Sequence, residues 1–208
     1  MSLAVRSTSR DPVVFVVDDD LSMREALESL FRAAGFPVEC FASARQFLLR
    51  PPTDSAACLV LDVRMPDLGG LELQHELTRS SREVPIIFLT AHADVPTAVR
   101  AVKAGAVEFF PKPFDDEELL RTVRKVLERE QRALAERGEL AELRARRARL
   151  SERERQVMAL IAMGRLNKQI AVELGVSENT IKAHRRHIMK KMGAASFAKL
   201  AFILARLG

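Results

Sequence analysis

Three times in the first 90 residues an unbroken apolar run stops on a polar residue: Val13 to Val17 at Asp18, Cys58 to Leu61 at Asp62, and Ile86 to Leu89 at Thr90. A strand that is apolar at consecutive positions has both faces buried, the condition of a strand inside a parallel sheet covered by helices. Between these runs the apolar period changes from strand to helix. Ser22 and Glu25 have capping-box spacing, Met23, Ala26, Leu27, Leu30 and Phe31 form one helical stripe, and Gly35 is placed to end it. A short strand over Val38–Phe41 follows, then a second helix started by Ser43 with Gln46 and closed by Pro51, Pro52 and Thr53. The pattern further predicts a helix over Leu71–Leu77, a helix over Thr97–Ala104 stopped by Gly105, and a last strand over Val107–Phe110. Five strands alternating with helices imply a doubly wound parallel sheet with right-handed crossovers.

In such a sheet ligands collect beyond the carboxyl ends of the strands. The residues there are Asp18, Asp19 and Asp20 after the first strand, Asp62 after the third, Thr90 after the fourth and Lys112 after the fifth. They are far apart in the chain, and the topology brings them together. Carboxylates held close raise one another's pKa unless a cation neutralises them, and hard oxygen donors select Mg²⁺. With the metal bound, Asp62 could stay ionised and act as an oxygen nucleophile toward a phosphoryl group. Thr90 could then donate to a phosphoryl oxygen and Lys112 could pair with its charge. The alternative is an acidic surface cluster balanced by a lysine, with no reaction.

Charge divides the chain unevenly. Residues 1–114 carry a net charge of −3, residues 115–150 carry +1, and residues 151–208 carry +7. A small basic module after an acidic one suggests a polyanion partner, with a merely solvated basic surface as the alternative. Cys40 and Cys58 both lie in apolar runs without metal-ligand spacing, which fits buried thiols in a reducing cytoplasm rather than disulfides or a zinc site. No apolar stretch reaches membrane-spanning length, and the tail over residues 1–11 lacks a signal-type apolar centre. The expectation is a cytoplasmic protein with no membrane partner.

From Asp115 onward apolar residues recur at helical spacing, and a seven-residue recurrence runs through Leu120, Leu127, Leu134, Ala141 and Ala148. Gln131 and Gly138 in the seam argue against a long stable coiled coil, so residues 130–149 read as a helical, partly flexible linker. The last segment reads as compact helices. Ser151 caps the first, which runs through Val157, Leu160 and Ile161 to Gly164. Asn167–Leu174 ends at Gly175. Ser177 caps Glu178–Met192, whose apolar face is Ile181, Ile188 and Met192. A short helix, a glycine turn and a basic helix is the spacing of a DNA-reading helix-turn-helix. Lys182, Arg185, Arg186 and Lys190 on the second of these are expected to face something anionic, beside the small side chains of Asn179, Thr180 and Ala183.

Asp18-Asp19, Asp62 followed by Met65-Pro66, Gly69-Gly70, Thr90-Ala91 and Lys112-Pro113-Phe114 together resemble the receiver domain of two-component response regulators, over residues 12–129. The resemblance implies a flavodoxin-like strand order of 2-1-3-4-5 and a cis bond before Pro113. It implies Asp62 as phosphoacceptor for a sensor histidine kinase. Asp19, Asp62 and the backbone carbonyl of Arg64 would ligate Mg²⁺ directly, with Asp18 acting through water. Phe109 takes the aromatic switch position, where many receivers carry tyrosine, and would shift with Thr90. His92 reads as a loop histidine, since the donor histidine belongs to the kinase.

Residues 150–208, with Ser151-Glu-Arg-Glu, Asn167-Lys-Gln-Ile-Ala and Val176-Ser-Glu-Asn-Thr-Ile-Lys-Ala-His, resemble the LuxR/FixJ-type helix-turn-helix domain. By that resemblance Lys182, Ala183 and Arg186 reach base edges in double-stranded DNA, Lys168, Thr180 and Lys190 hold phosphates, and Glu154 is structural. A final helix over Ser196–Leu207 resembles the one used for dimer contacts, although Phe197, Leu200, Ile203 and Leu204 equally suit ordinary packing. The whole then resembles a FixJ-like transcription regulator, acting as a homodimer on phosphorylation or on DNA, contacting RNA polymerase, and not an enzyme beyond self-phosphotransfer and autodephosphorylation at Asp62. Two other readings stay open. A haloacid-dehalogenase-type phosphotransferase also uses an aspartate after a strand with Mg²⁺, but carries a second acid where this chain has Arg64. A regulator binding DNA without phosphorylation is the other.

Overall fold

The computed structural model describes residues 11–80, 82, 84–91 and 95–207. The expectations for the N-terminal tail and for His92 therefore lie outside the described residues, apart from Asp11. The chain forms two compact units, Met1–Leu134 and Ala135–Gly208.

In the first unit β1 (Val13–Val17), β2 (Val38–Phe41), β3 (Ala57–Asp62), β4 (Ile86–Thr90) and β5 (Glu108–Pro111) form one parallel sheet in the order β2-β1-β3-β4-β5. The strands β1, β3 and β4 are buried at every position, as their unbroken apolar runs require. Alternate side chains leave for opposite faces. Val13, Phe15, Val17, Leu59, Leu61 and Phe88 pack on one side with α2 (Ala44–Leu49), α3 (Gly70–Arg79) and α4 (Val95–Lys103). Val14, Val16, Cys58, Val60, Ile87 and Leu89 pack on the other with α1 (Leu21–Ala33) and the start of α5 (Asp116–Ala148). Phe15, Phe31 and Phe88 are at most 2% exposed, and each such ring stabilises the fold by about 1.5–3 kcal/mol relative to leaving it in water.

Local signals settle several boundaries differently from the sequence pattern. The cap of α1 is Asp20, whose carboxylate accepts from the amides of Ser22 and Met23. The helix thus starts two residues earlier than the Ser22/Glu25 spacing predicts, with an acid as its cap. Ser43 does cap α2, but the Gln46 side chain reaches back to the amide of Ala42 instead of Ser43. The last strand begins one residue later than predicted, at Glu108. Gln131 and Gly138 do not interrupt α5, because a helix with a solvated face tolerates a polar residue and a glycine at about 1 kcal/mol for the glycine.

Gly70 positions the functional edge. Its amide donates to Val63 O at 2.9 Å, and a Cβ built on it would strike the carbonyl oxygen of Asp62 and come within 3.0 Å of the Phe88 ring. Gly70→Ala is therefore expected to destabilise the first unit by about 1–3 kcal/mol, because backbone and a buried ring must yield. Thermal unfolding checks it, and an unchanged midpoint would contradict this packing.

The second unit comprises the end of α5, α6 (Glu152–Ala162), α7 (Asn167–Leu174), α8 (Glu178–Met192) and α9 (Phe197–Leu207). Val157, Ile161, Ile170, Ile181, Ile188, Met192, Leu200 and Ile203 form its core, with Leu143 of α5 against it. Gly175 ends α7 in the left-handed region at φ 64°, and Ser177 opens α8 by accepting from the Thr180 amide. Glu154 is 4% exposed, completes a capping box with Ser151, and takes a 2.6 Å hydrogen bond from Lys191 Nζ on α8. Burial works to raise the pKa of Glu154, but the Lys191 hydrogen bond, the Ser151 amide and the ammonium charge outweigh it and hold the carboxyl below its ordinary range.

A carboxyl depressed in the folded state contributes stability above its unfolded pKa and loses it as pH falls through the folded value. Stability of this unit is therefore expected to drop on acidification below the ordinary glutamate range. Glu154→Gln should flatten that dependence and cost about 1–3 kcal/mol at neutral pH, since a neutral amide leaves Lys191 without its partner charge. Denaturant unfolding at neutral and acidic pH measures both effects, and a variant with the unmodified pH profile would refute the pairing.

Candidate functional site

The carboxyl edge of the first unit gathers the predicted residues. Asp18 is 1% exposed, Asp62 7% and Thr90 1%, whereas Asp19 is exposed at the mouth. Asp62 and Thr90 are the last residues of their strands, and Asp18 and Asp19 are the first two residues after β1. Lys112 follows β5, and its amide donates to Thr90 O at 2.7 Å, fastening the two strand ends. The Lys112–Pro113 bond is cis.

Lys112 Nζ donates to Asp18 Oδ2 and to Asp62 Oδ1, both at 2.7 Å. The other Asp62 oxygen accepts from the Arg64 amide at 2.6 Å, and the other Asp18 oxygen from the Asp20 amide at 2.9 Å. Burial pushes the Asp62 carboxyl above its ordinary range and the Asp18 charge adds to this, against the opposing pull of Lys112 and the Arg64 amide. For Lys112, burial works to lower the pKa, but the two carboxylates prevail and raise it. The ammonium is thus firmly charged, and the Asp62 carboxyl sits in a site that favours a neutralising partner.

Three acids against one lysine leave an excess of negative charge with only oxygen donors, which fits a hard divalent cation. Among the described residues no three His, Cys, Asp or Glu side chains are grouped closely enough to hold a metal ion. The expected direct ligands are two carboxylates and a main-chain carbonyl, so they need no such group. The sequence offered Lys112 both as partner of a phosphoryl group and, alternatively, as the lysine that balances the acids; in the structure it bridges Asp18 and Asp62. The pattern did not separate Asp20, which became the helix cap. Phe109 is half-buried beside Phe88, with ring centroids 6.3 Å apart.

The second unit presents a different surface. Lys182, Ala183, Arg186 and Lys190 are exposed along one stripe of α8, with Asn179, and Lys168 is exposed on α7. Thr180 is exposed too, but its hydroxyl lies 2.9 Å from Ser177 Oγ within the cap. Arg185 departs from the expectation that all four basic side chains face outward. It turns inward, and Nη1 donates to Asn167 Oδ1 at 2.7 Å. The signal was available, because Arg185 stands four residues after Ile181 and three before Ile188.

Residues 14–124 match the response regulator receiver domain family, and residues 148–204 match the bacterial regulatory proteins of the luxR family. The chain belongs to the response regulators. This response regulator is 48% identical to Nodulation protein W of Bradyrhizobium diazoefficiens, over 96% of this chain and 88% of that one. It is 40% identical to the transcriptional regulatory protein FixJ of the same organism, over 94% of this chain and 95% of that one. Among solved structures it resembles the response regulator StyR, with a TM-score of 0.88 and 46% identity, covering 95% of this chain and all of that one. It is therefore a response regulator with a flavodoxin-like receiver and a LuxR-type DNA-binding domain, a transcriptional regulator rather than an enzyme of the usual kind. A receiver implies a histidine kinase partner, the LuxR-type domain implies DNA, and receivers of this family use Mg²⁺. Among the described residues no helix is long and apolar enough to cross a membrane.

Proposed function

We propose that Asp62 accepts a phosphoryl group from the histidine of a sensor kinase and that this controls DNA binding by the second unit, in the cytoplasm. The observation that carries the reading is the half-buried Lys112 ammonium bonded to both buried carboxylates, Asp18 and Asp62, at the edge where Thr90 also ends its strand. An Asp62 oxygen attacks phosphorus, the P–N bond to the kinase histidine breaks as the O–P bond forms, and the imidazole leaves. Asp19, Asp62 and the Arg64 carbonyl would hold Mg²⁺, with Asp18 acting through water. When bound, the metal neutralises phosphoryl and carboxylate charge. Lys112 transfers part of its pairing from Asp62 to a phosphoryl oxygen, and Thr90 donates a hydrogen bond to another.

The fifth-strand ring of Phe109 needs only two packings of similar energy for phosphorylation to select one. The selected state dimerises through the receiver or frees the DNA-binding domain. Lys182, Ala183 and Arg186 then read base edges, Lys168, Thr180 and Lys190 hold phosphates, and the homodimer spans paired half-sites. The family points to activation through RNA polymerase.

Incubation with a phosphorylated histidine kinase core and Mg²⁺ tests the chemistry: label is expected to move stoichiometrically onto this chain. Catalytic turnover of p-nitrophenyl phosphate would instead support a phosphotransferase enzyme.

A further inference from the structure

The basic residues of α8 fall into two sets. Lys182, Arg186 and Lys190 lie exposed, whereas Arg185 shares the inner stripe with Ile181, Ile188 and Met192. A guanidinium there gives up water, and two neighbours take its place. Asn167, the first residue of α7, accepts its hydrogen bond at 2.7 Å. Phe197, the first residue of α9, lies beneath it, 4.4 Å from guanidinium carbon to ring centroid. Arg185 therefore ties α8 to both α7 and α9.

An all-apolar seam fixes the approach of two helices but discriminates poorly between neighbouring settings, since Ile and Met side chains repack at small cost. A guanidinium fork differs. Its donors have fixed directions, and a shift of α8 that broke the Asn167 hydrogen bond would leave a half-buried cation without the partner that replaces part of its water. Its cation–π partner Phe197 restricts the same shift from the side of α9.

We propose that Arg185 is a positioning residue for sequence reading: by clasping Asn167 and Phe197 it fixes the rotation and advance of α8, so that Lys182, Ala183 and Arg186 meet the base edges in register. This rests on α8 being the recognition helix. It assigns Arg185 no contact with DNA.

The test uses the full-length chain, a duplex that the unmodified chain selects from a random-sequence pool, and a scrambled duplex of the same composition. The readouts are the ratio of the two Kd values, the salt dependence of each, and thermal unfolding. Arg185→Met preserves volume and removes the fork. It is expected to stay folded with an equal or higher midpoint while the Kd ratio falls about tenfold. The slope of log Kd against log salt should not change, since no phosphate contact is lost. Asn167→Ala should reproduce the loss of discrimination, and the double variant should lose little more than either single one.

A ratio unchanged in Arg185→Met overturns the proposal. So does a salt slope reduced by about one, which would make Arg185 a phosphate contact. Equal weakening on both duplexes would also overturn it. If Arg185→Met fails to fold, Asn167→Ala decides alone, and an unchanged ratio there refutes the clasp. If the unmodified chain selects no sequence, the recognition-helix reading fails and the proposal falls with it.

Discussion

Asp62→Asn is expected to abolish phosphate incorporation from acetyl phosphate and from a phosphorylated kinase core, by about a thousandfold or more. The amide keeps the size of the carboxyl group, and its one oxygen can still accept from Lys112 Nζ or from the Arg64 amide, whose bonds to the two Asp62 oxygens are 2.7 and 2.6 Å, although its NH2 group cannot accept the other. What it lacks is the anionic oxygen that forms the bond to phosphorus. The fold should survive, because removing one of two buried carboxylates facing a single ammonium relieves repulsion. Intact-mass measurement after incubation reads the outcome, and labelling equal to that of the unmodified chain would move the phosphoacceptor elsewhere.

The second large effect concerns DNA. Lys182→Ala and Arg186→Ala each remove an exposed cation from the outer stripe of α8 without touching the core stripe of Ile181, Ile188 and Met192. Each is expected to cost about 1–3 kcal/mol of binding to the selected duplex and to relax sequence preference at one position. Lys168→Ala and Lys190→Ala should instead weaken selected and scrambled duplexes alike and lower the salt slope by about one. Competition binding at two salt concentrations separates the two classes. Full discrimination retained by the Lys182 and Arg186 variants would displace the reading surface from α8.

The parts of the fold that were legible in the sequence are those where burial alone dictates residue type. β1, β3 and β4 are covered on both faces, so their runs are apolar throughout, and the polar residue at which each run stops marks the functional edge. β5 is less marked. Its run contains Glu108, only Phe110 in it is buried, and its start is displaced by one residue. Capping at α1 was misread because Asp20 and Ser22 both offer an acceptor at workable spacing, and only backbone direction decides between them. The convergence of Asp18, Asp62, Thr90 and Lys112 followed from topology.

The two hydrogen bonds of Lys112, one to Asp18 and one to Asp62, did not, since they depend on one long side chain selecting a conformation between two acids. On α8, charge suggested an outward Arg185, whereas it lies on the inner stripe, in step with Ile181 and Ile188. Spacing was the stronger signal, because helical periodicity is geometric and a guanidinium can be satisfied inside by Asn167 and Phe197. The Glu154–Lys191 pair joins residues 37 apart, and nothing local in the sequence points from one to the other.

The central claim is that chemistry at Asp62 governs DNA binding. Its most direct test is the Kd of the full-length chain for its selected duplex, with and without beryllofluoride and Mg²⁺, in the unmodified protein and in Asp62→Asn. The account predicts that the phosphoryl mimic tightens binding by about tenfold in the unmodified chain, a coupling of ordinary size for a two-state switch, and leaves Asp62→Asn unchanged. Equal Kd values with and without the mimic in the unmodified chain would contradict it, leaving a regulator that binds DNA independently of phosphorylation.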